Sequence, residues 1–140
     1  MNTPGKPGLP RTLAQRRAYA AWHNITDDAK KDKDAVFQGK YKTLARGLSA
    51  MIQVNGLAET IAFLRAKAGK KEAAKSEHRM LYNHLAEWLG LQVFNSARNP
   101  DLVSLLLQSS DSLRLATAES LAYAVWLRRF AEAELTGDDG

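Results

Sequence analysis

The sequence predicts an all-α fold, a compact single-domain bundle of about six helices, and three observations carry that prediction. Apolar residues recur at three- and four-residue steps through most of the chain. No segment alternates with a period of two over strand length, and no strand-turn-strand signal occurs. Gly, Asn, Asp and Pro fall between the periodic stretches, where helices start and stop. At 140 residues the chain is long enough for one domain with a hydrophobic core and too short for two ordinary ones.

Met1 to Pro10 contains three prolines and is expected to be a flexible tail, since proline removes backbone donors and restricts its neighbours. From Arg11 to about Asp27, Leu13, Arg17, Ala20, Ala21 and Asn24 share a helical spacing with Thr12 as N-cap, giving a first helix. Asp27 to Asp34 mixes charges of both signs without apolar anchors and reads as a polar connection or a frayed helix end. From Ala35 to Val54, Phe37, Tyr41, Leu44, Ala45, Leu48, Met51 and Ile52 define an amphipathic second helix, ended by Asn55-Gly56. Leu57, Ile61, Leu64 and Ala68 define a third, closed by Gly69. Lys70 to Ser76 is a basic loop. Leu81, Leu85, Trp88 and Leu89 mark a fourth helix, expected to stop near Gly90.

Leu91 to Arg98 lacks a clear period and is read as a loop with Val93 and Phe94 tucked inward. Asn99-Pro100 is expected to start a short helix over LVSLLLQ, with proline in its first turn. Asp111 is the expected cap of a last helix from about Ser112 to Leu135. Its apolar residues occupy several faces, Leu115, Ala118, Ala122 and Val125 on one and Leu113, Leu121, Trp126, Leu127 and Phe130 around others, as in a helix that is central or lies in an interface. The domain thus spans 11–135, with 136–140 a short acidic tail.

Charge is lopsided. The chain carries +5 overall, but Met1–Arg79 holds 16 basic against 7 acidic residues, and Met80–Gly140 holds 4 against 8. The basic half is the candidate surface for a polyanion. The absence of cysteine excludes disulfides and thiolate metal sites. The N-terminus lacks the apolar run of a secretory signal, and no stretch approaches the roughly 18 apolar residues of a membrane span, so no membrane partner and a cytoplasmic location are expected.

The segment Lys40–Lys71 joins two amphipathic helices and has Glu59 as its single acid. On the second helix Gln38, Lys42, Arg46, Ser49 and Gln53 align in one polar stripe opposite Phe37 and Leu44. Extended by Lys67, Lys70, Lys71, Lys75 and Arg79, that stripe is the candidate phosphate-contacting face. Its plain alternative is an ordinary solvated helix face. Trp88 shares the spacing of core leucines. Trp22 and Trp126, with Tyr19 and Tyr123, lie on long helices and are core residues or anchors of a subunit interface.

Catalytic and metal chemistry find no foothold. His78 and His84 are six apart and occupy different helix faces, His23 is distant, and no metal is expected. Lys70-Lys71 follows Gly69 without the earlier glycine or the Ser/Thr of a phosphate loop. Glu59, Glu77, Glu87 and Glu119 are scattered singly, no nucleophile elbow occurs, and neither an enzyme nor a cofactor is expected. A helix-turn-helix reading would make Leu57–Ala68 a recognition helix, but Glu59, Thr60, Ala62 and Arg65 are a poor set for reading bases.

Four segments resemble a known family: Arg16–Trp22, YKTLARGLSAMIQVNGLAETIAFLRAK from Tyr41 to Lys67, EHRMLYNHLAEWL from Glu77 to Leu89, and ATAESLAYAVWLRRFAEAEL from Ala116 to Leu135. Together they resemble the small helical subunit of the type III-B CRISPR effector, the Cmr complex. The resemblance implies a non-catalytic subunit present in several copies, partnered by other Cmr subunits, by copies of itself, and by guide and target RNA. It implies that the basic face around Lys42 and Arg46 meets target RNA, and that Arg16, Arg17, Arg128 and Arg129, which match the family's terminal helices, serve either RNA or neighbouring subunits; Gln53, Lys67, Lys70, Lys71 and Arg79 are expected RNA contacts from their place in the basic stripe. Trp22, Tyr123, Trp126, Arg128 and Arg129 are the expected subunit-interface residues. Ser49 departs from the family, where proline is common, which leaves open a kink in that helix. The alternatives are a stand-alone helical DNA-binding regulator and a scaffold that contacts only protein.

Overall fold

The computed structural model describes residues 12–69, 75–96 and 101–137, and among them every regular element is helical. Helix α1 spans Leu13–His23 and runs on into a π-helical segment, Asn24–Ala29; α2 spans Ala35–Asn55, α3 Leu57–Ala68, α4 Glu77–Gln92, α5 Leu102–Leu106 and α6 Ser110–Glu134. The long α6 touches each of the other five helices. Helices α3 and α4 pack on one another, and α2 packs on α3, α4 and α6.

Local chemistry accounts for most boundaries. Thr12 closes a capping box: its Oγ1 accepts from the Gln15 N–H at 3.1 Å, and Gln15 Oε1 accepts from the Thr12 N–H at 3.0 Å. The helix does not end at Asp27. Its wider π turn carries Asn24, Ile25 and Ala29 into the core, and only from Lys30 to Asp34 does the chain become a connection. Asp34 then caps α2 through Val36 N–H. One residue, Gly56, separates α2 from α3; its φ of 86° is costly for any residue with a Cβ. Its N–H donates to the Ile52 carbonyl, and its own carbonyl accepts from both the N–H and hydroxyl of Thr60.

Two expected boundaries are corrected. Gly90 does not stop α4 but is buried within it. Trp88 and Leu89 before it, and the half-buried Val93 and Phe94 after it, all pack inward. Their burial outweighs the roughly 1 kcal/mol that glycine costs a helix. The chain turns at Asn95, with φ of 47°. Asp101 caps α5 by accepting from Ser104 N–H, while the expected start at Asn99-Pro100 lies outside the described residues. Ser109, not Asp111, caps α6, accepting from Ser112 N–H at 3.0 Å.

The core is one cluster: Tyr41, Leu48 and Ile52 from α2, Leu57, Ile61 and Leu64 from α3, Leu81, Leu85 and Leu89 from α4, and Tyr123 and Leu127 from α6. Each buried aliphatic side chain contributes about 1.5–3 kcal/mol. Polar groups tie the helices together inside it. His84 of α4 bridges two elements, its Nδ1 2.7 Å from the Tyr41 hydroxyl and its Nε2 2.7 Å from Asp28 Oδ2. The tautomer that donates from Nε2 to the carboxylate leaves Nδ1 to accept from the hydroxyl. Asn24 donates to the hydroxyl of Tyr123. Burial drives both tyrosines' pKa values up.

The chain end closes the bundle. Leu135 is buried, and Thr136 N–H donates to Gln38 Oε1 at 2.8 Å. Gly137 lies so close to α2 that an added Cβ would come within 2.6 Å of the Ala35 carbonyl oxygen.

Candidate RNA-contacting surface

The polar stripe of α2 is real as a helical alignment, but its first half faces the end of α6. Gln38 is buried, donating to the carbonyls of Lys30 and Asp32 and accepting from Thr136. Lys42 is 6% exposed, with Nζ 3.3 Å from the Leu135 carbonyl oxygen. It lays its aliphatic stem on the bundle and sets its charge at the C-terminal end of α6, where cations are favoured. The sequence expectation of an open basic face at Lys42 is therefore corrected. Arg46, one turn on, is half-buried and pairs with Glu132 at 3.1 Å. Only Gln53, at the far end of the stripe, is well exposed.

Two more expected contacts join helices. Arg17 grips the buried Glu119 through Nε at 2.6 Å and Nη2 at 2.9 Å, and Glu119 also accepts from Trp88 Nε1 at 3.0 Å. That single carboxylate fastens α1, α4 and α6, and its hydrogen bond raises the pKa of the guanidinium. Arg79 donates from Nη2 to the carbonyls of Ala68 at 3.4 Å and Gly69 at 2.7 Å, closing the C-terminus of α3. Lys75 pairs with Asp32 and Asp34 and stands 5.0 Å above the Phe37 ring. Its hydrogen bonds to these carboxylates raise its pKa.

Besides Gln53 and Arg16, the outer side of α3 near its C-terminus stays open to solvent. Lys67 is exposed 5.9 Å over Phe63, itself 39% exposed. His78 of α4 meets Phe63 edge-on at 5.8 Å. Sequence reasoning missed Phe63 because it treated the basic residues as a charge stripe; its place off the Leu57-Ile61-Leu64 core line was the available signal, whereas Thr60, grouped with the outward residues of this helix, is buried. Lys70 and Lys71 lie outside the described residues. Arg16 is exposed near the start of α1.

The expected interface residues divide. Tyr123 is fully buried in the core, which corrects its placement at an outer surface. Trp22 is partly exposed and meets Phe130 edge-on, and Trp126 stacks on the same ring. Arg128 leans toward Glu132 at 3.6 Å, while Arg129 is exposed. Among the described residues no group of three His, Asp or Glu side chains is arranged to hold a metal, and no helix is long and apolar enough to cross a membrane.

The described residues form an all-helical protein with one core, in which several charged side chains bind helix to helix. Comparison makes the class specific: residues 13–134 match the family model described as CRISPR-associated protein (Cas_Cmr5), and the chain belongs to that family. It is 32% identical over 123 residues to the CRISPR system Cmr subunit Cmr5 of Thermus thermophilus, covering 88% of this chain and 96% of the relative. A crystal structure of a CRISPR-associated Cmr5 family protein, also from Thermus thermophilus, superposes with a TM-score of 0.67 at 27% identity, covering 89% of this chain and 97% of the other.

Proposed function

We propose that this chain is a non-catalytic subunit of a type III-B CRISPR effector, stacking in several copies along the guide-RNA backbone and touching target RNA with a basic surface. Membership of the family supports its place in a Cmr complex. The observation that carries the RNA contact is the exposed pair Phe63 and Lys67 at the end of α3, leading in sequence directly to Lys70 and Lys71. An aromatic face beside cations suits a splayed or stacked base next to its phosphate. No set of base-reading side chains is needed, because guide pairing reads sequence and protein grips backbone, as in other RNA-guided systems. Lys42 leaves this reading and Arg17 and Arg79 become structural, so the contact shifts from α2 to the α3 end.

A second reading, a scaffold that contacts only protein, is favoured by the same internal engagement of Lys42, Arg17 and Arg79. The two part on one experiment. Replacing Lys67, Lys70 and Lys71 together by Ala should weaken target capture by the assembled complex and flatten its salt dependence. With three phosphates neutralised, the lost slope is about −2 per copy on single strands. Unchanged capture with unchanged salt dependence favours the scaffold.

A further inference from the structure

The solvent side of α6 carries a second, separate pattern. Asp111, Leu115, Ala118, Ala122, Val125 and Arg129 follow one another at steps of four, three, four, three and four, the spacing of a coiled-coil seam. They lie opposite the buried stripe of Ala116, Tyr123, Leu127 and Ala131. Leu115 is 60% and Val125 46% exposed, Ala118 is exposed and Ala122 partly so. No described element of the chain covers this face.

The order of residues along the seam identifies the partner. Turning a second α6 end for end about the midpoint between Ala118 and Ala122 sets Leu115 against Val125, Ala118 against Ala122, and Asp111 against Arg129. Each match then occurs twice, which is the condition for a twofold contact between identical surfaces. A parallel arrangement would face Asp111 with Asp111 and Arg129 with Arg129, a like-charge juxtaposition at both ends. The two central alanines let the helix axes approach closely, and the half-buried Leu121 flanks the axis. The local pair of Asp111 with Arg114, at 3.1 Å between highly exposed side chains, is weak competition for Arg129 of a second copy.

We infer that the outer face of α6 pairs with the same face of a second copy of this chain, antiparallel, with Leu115 packed on Val125 and Asp111 on Arg129. The contact closes on itself and makes pairs, and so is a different contact from the one by which copies stack along guide RNA. It stands independently of the RNA surface on α3. A seam this short belongs with weak, transient interfaces.

The test uses the full chain. In sedimentation equilibrium up to about 1 mM, the mass should rise from 15.5 kDa toward twice that value. Asp111→Arg should weaken pairing at least tenfold, and Asp111→Arg with Arg129→Asp should restore it. Because the chain has no cysteine, orientation can be read by mixing Ala118→Cys with Ala122→Cys protein under mild oxidation. The mixed disulfide should dominate. A chain that stays monomeric throughout, a pairing indifferent to both charge variants, or a preference for Ala118→Cys self-linkage would each overturn the inference.

Discussion

Arg17 separates a structural reading from an RNA-binding one most sharply. Its side chain is 22% exposed and makes two short hydrogen bonds to a carboxylate that is 8% exposed. Arg17→Ala leaves Glu119 buried with Trp88 Nε1 as its remaining described donor. Breaking a well-buried ion pair costs about 3–5 kcal/mol, and partial access of water at Arg17 brings the expected loss to roughly 2–4 kcal/mol. At about 3–5 °C per kcal/mol for a domain of this size, the melting midpoint should fall by roughly 10 °C. Urea titration should show a lower midpoint at unchanged slope. Arg17→Lys, which cannot supply two parallel bonds, should lose about half as much. The double variant with Glu119→Ala should cost less than the sum of the single changes by about 1.5 kcal/mol or more. An Arg17→Ala protein within about 0.5 kcal/mol of the parent would refute the assignment.

The remaining predictions follow the same geometry. Lys42→Ala should lower stability by about 1–3 kcal/mol in urea titration, through loss of its stem and of its bond to Leu135, and leave RNA capture by the folded complex unchanged. Gly56→Ala should cost about 1–3 kcal/mol, since nothing crowds the position and only its backbone conformation, φ 86° with ψ 158°, penalises a Cβ. Stability should be insensitive to Tyr41 and Tyr123 below about pH 10 and fall above it, because burial raises both native pKa values while the unfolded chain ionises at the ordinary one. Each tyrosine contributes a loss of about 1.4 kcal/mol per pH unit there, and Tyr123→Phe should reduce the slope measured by chemical denaturation at several alkaline pH values by about that amount.

The helices were legible because each carries its own code: the Thr12 cap, the Phe37-to-Ile52 period, the glycines at 56 and 69. Their ends were less so. Ser109 and Asp111 are equally good caps in sequence, and the structure uses Ser109. Gly90 reads locally as a stop, and only tertiary packing keeps it helical. The π turn at Asn24–Ala29 has no local signature, and the partner of its Asp28, His84, lies 56 residues away. The basic stripe was the largest misreading, and its cause is general. Periodicity gives the angle at which a side chain leaves its helix, not what stands opposite. For Lys42 the answer lies 93 residues away at Leu135, and for Arg17, 102 residues away at Glu119. Lys67, with no such partner across the bundle among the described residues, is where angle and exposure agree.

Protein–RNA crosslinking followed by mass spectrometry on the assembled effector bound to target tests the central proposal most directly. Crosslinks should fall on peptides containing Phe63, Lys67, Lys70 or Lys71 and spare Lys42. A chain that co-purifies with the effector but yields no RNA crosslinks, or yields them only at Lys42 and Arg46, would contradict it.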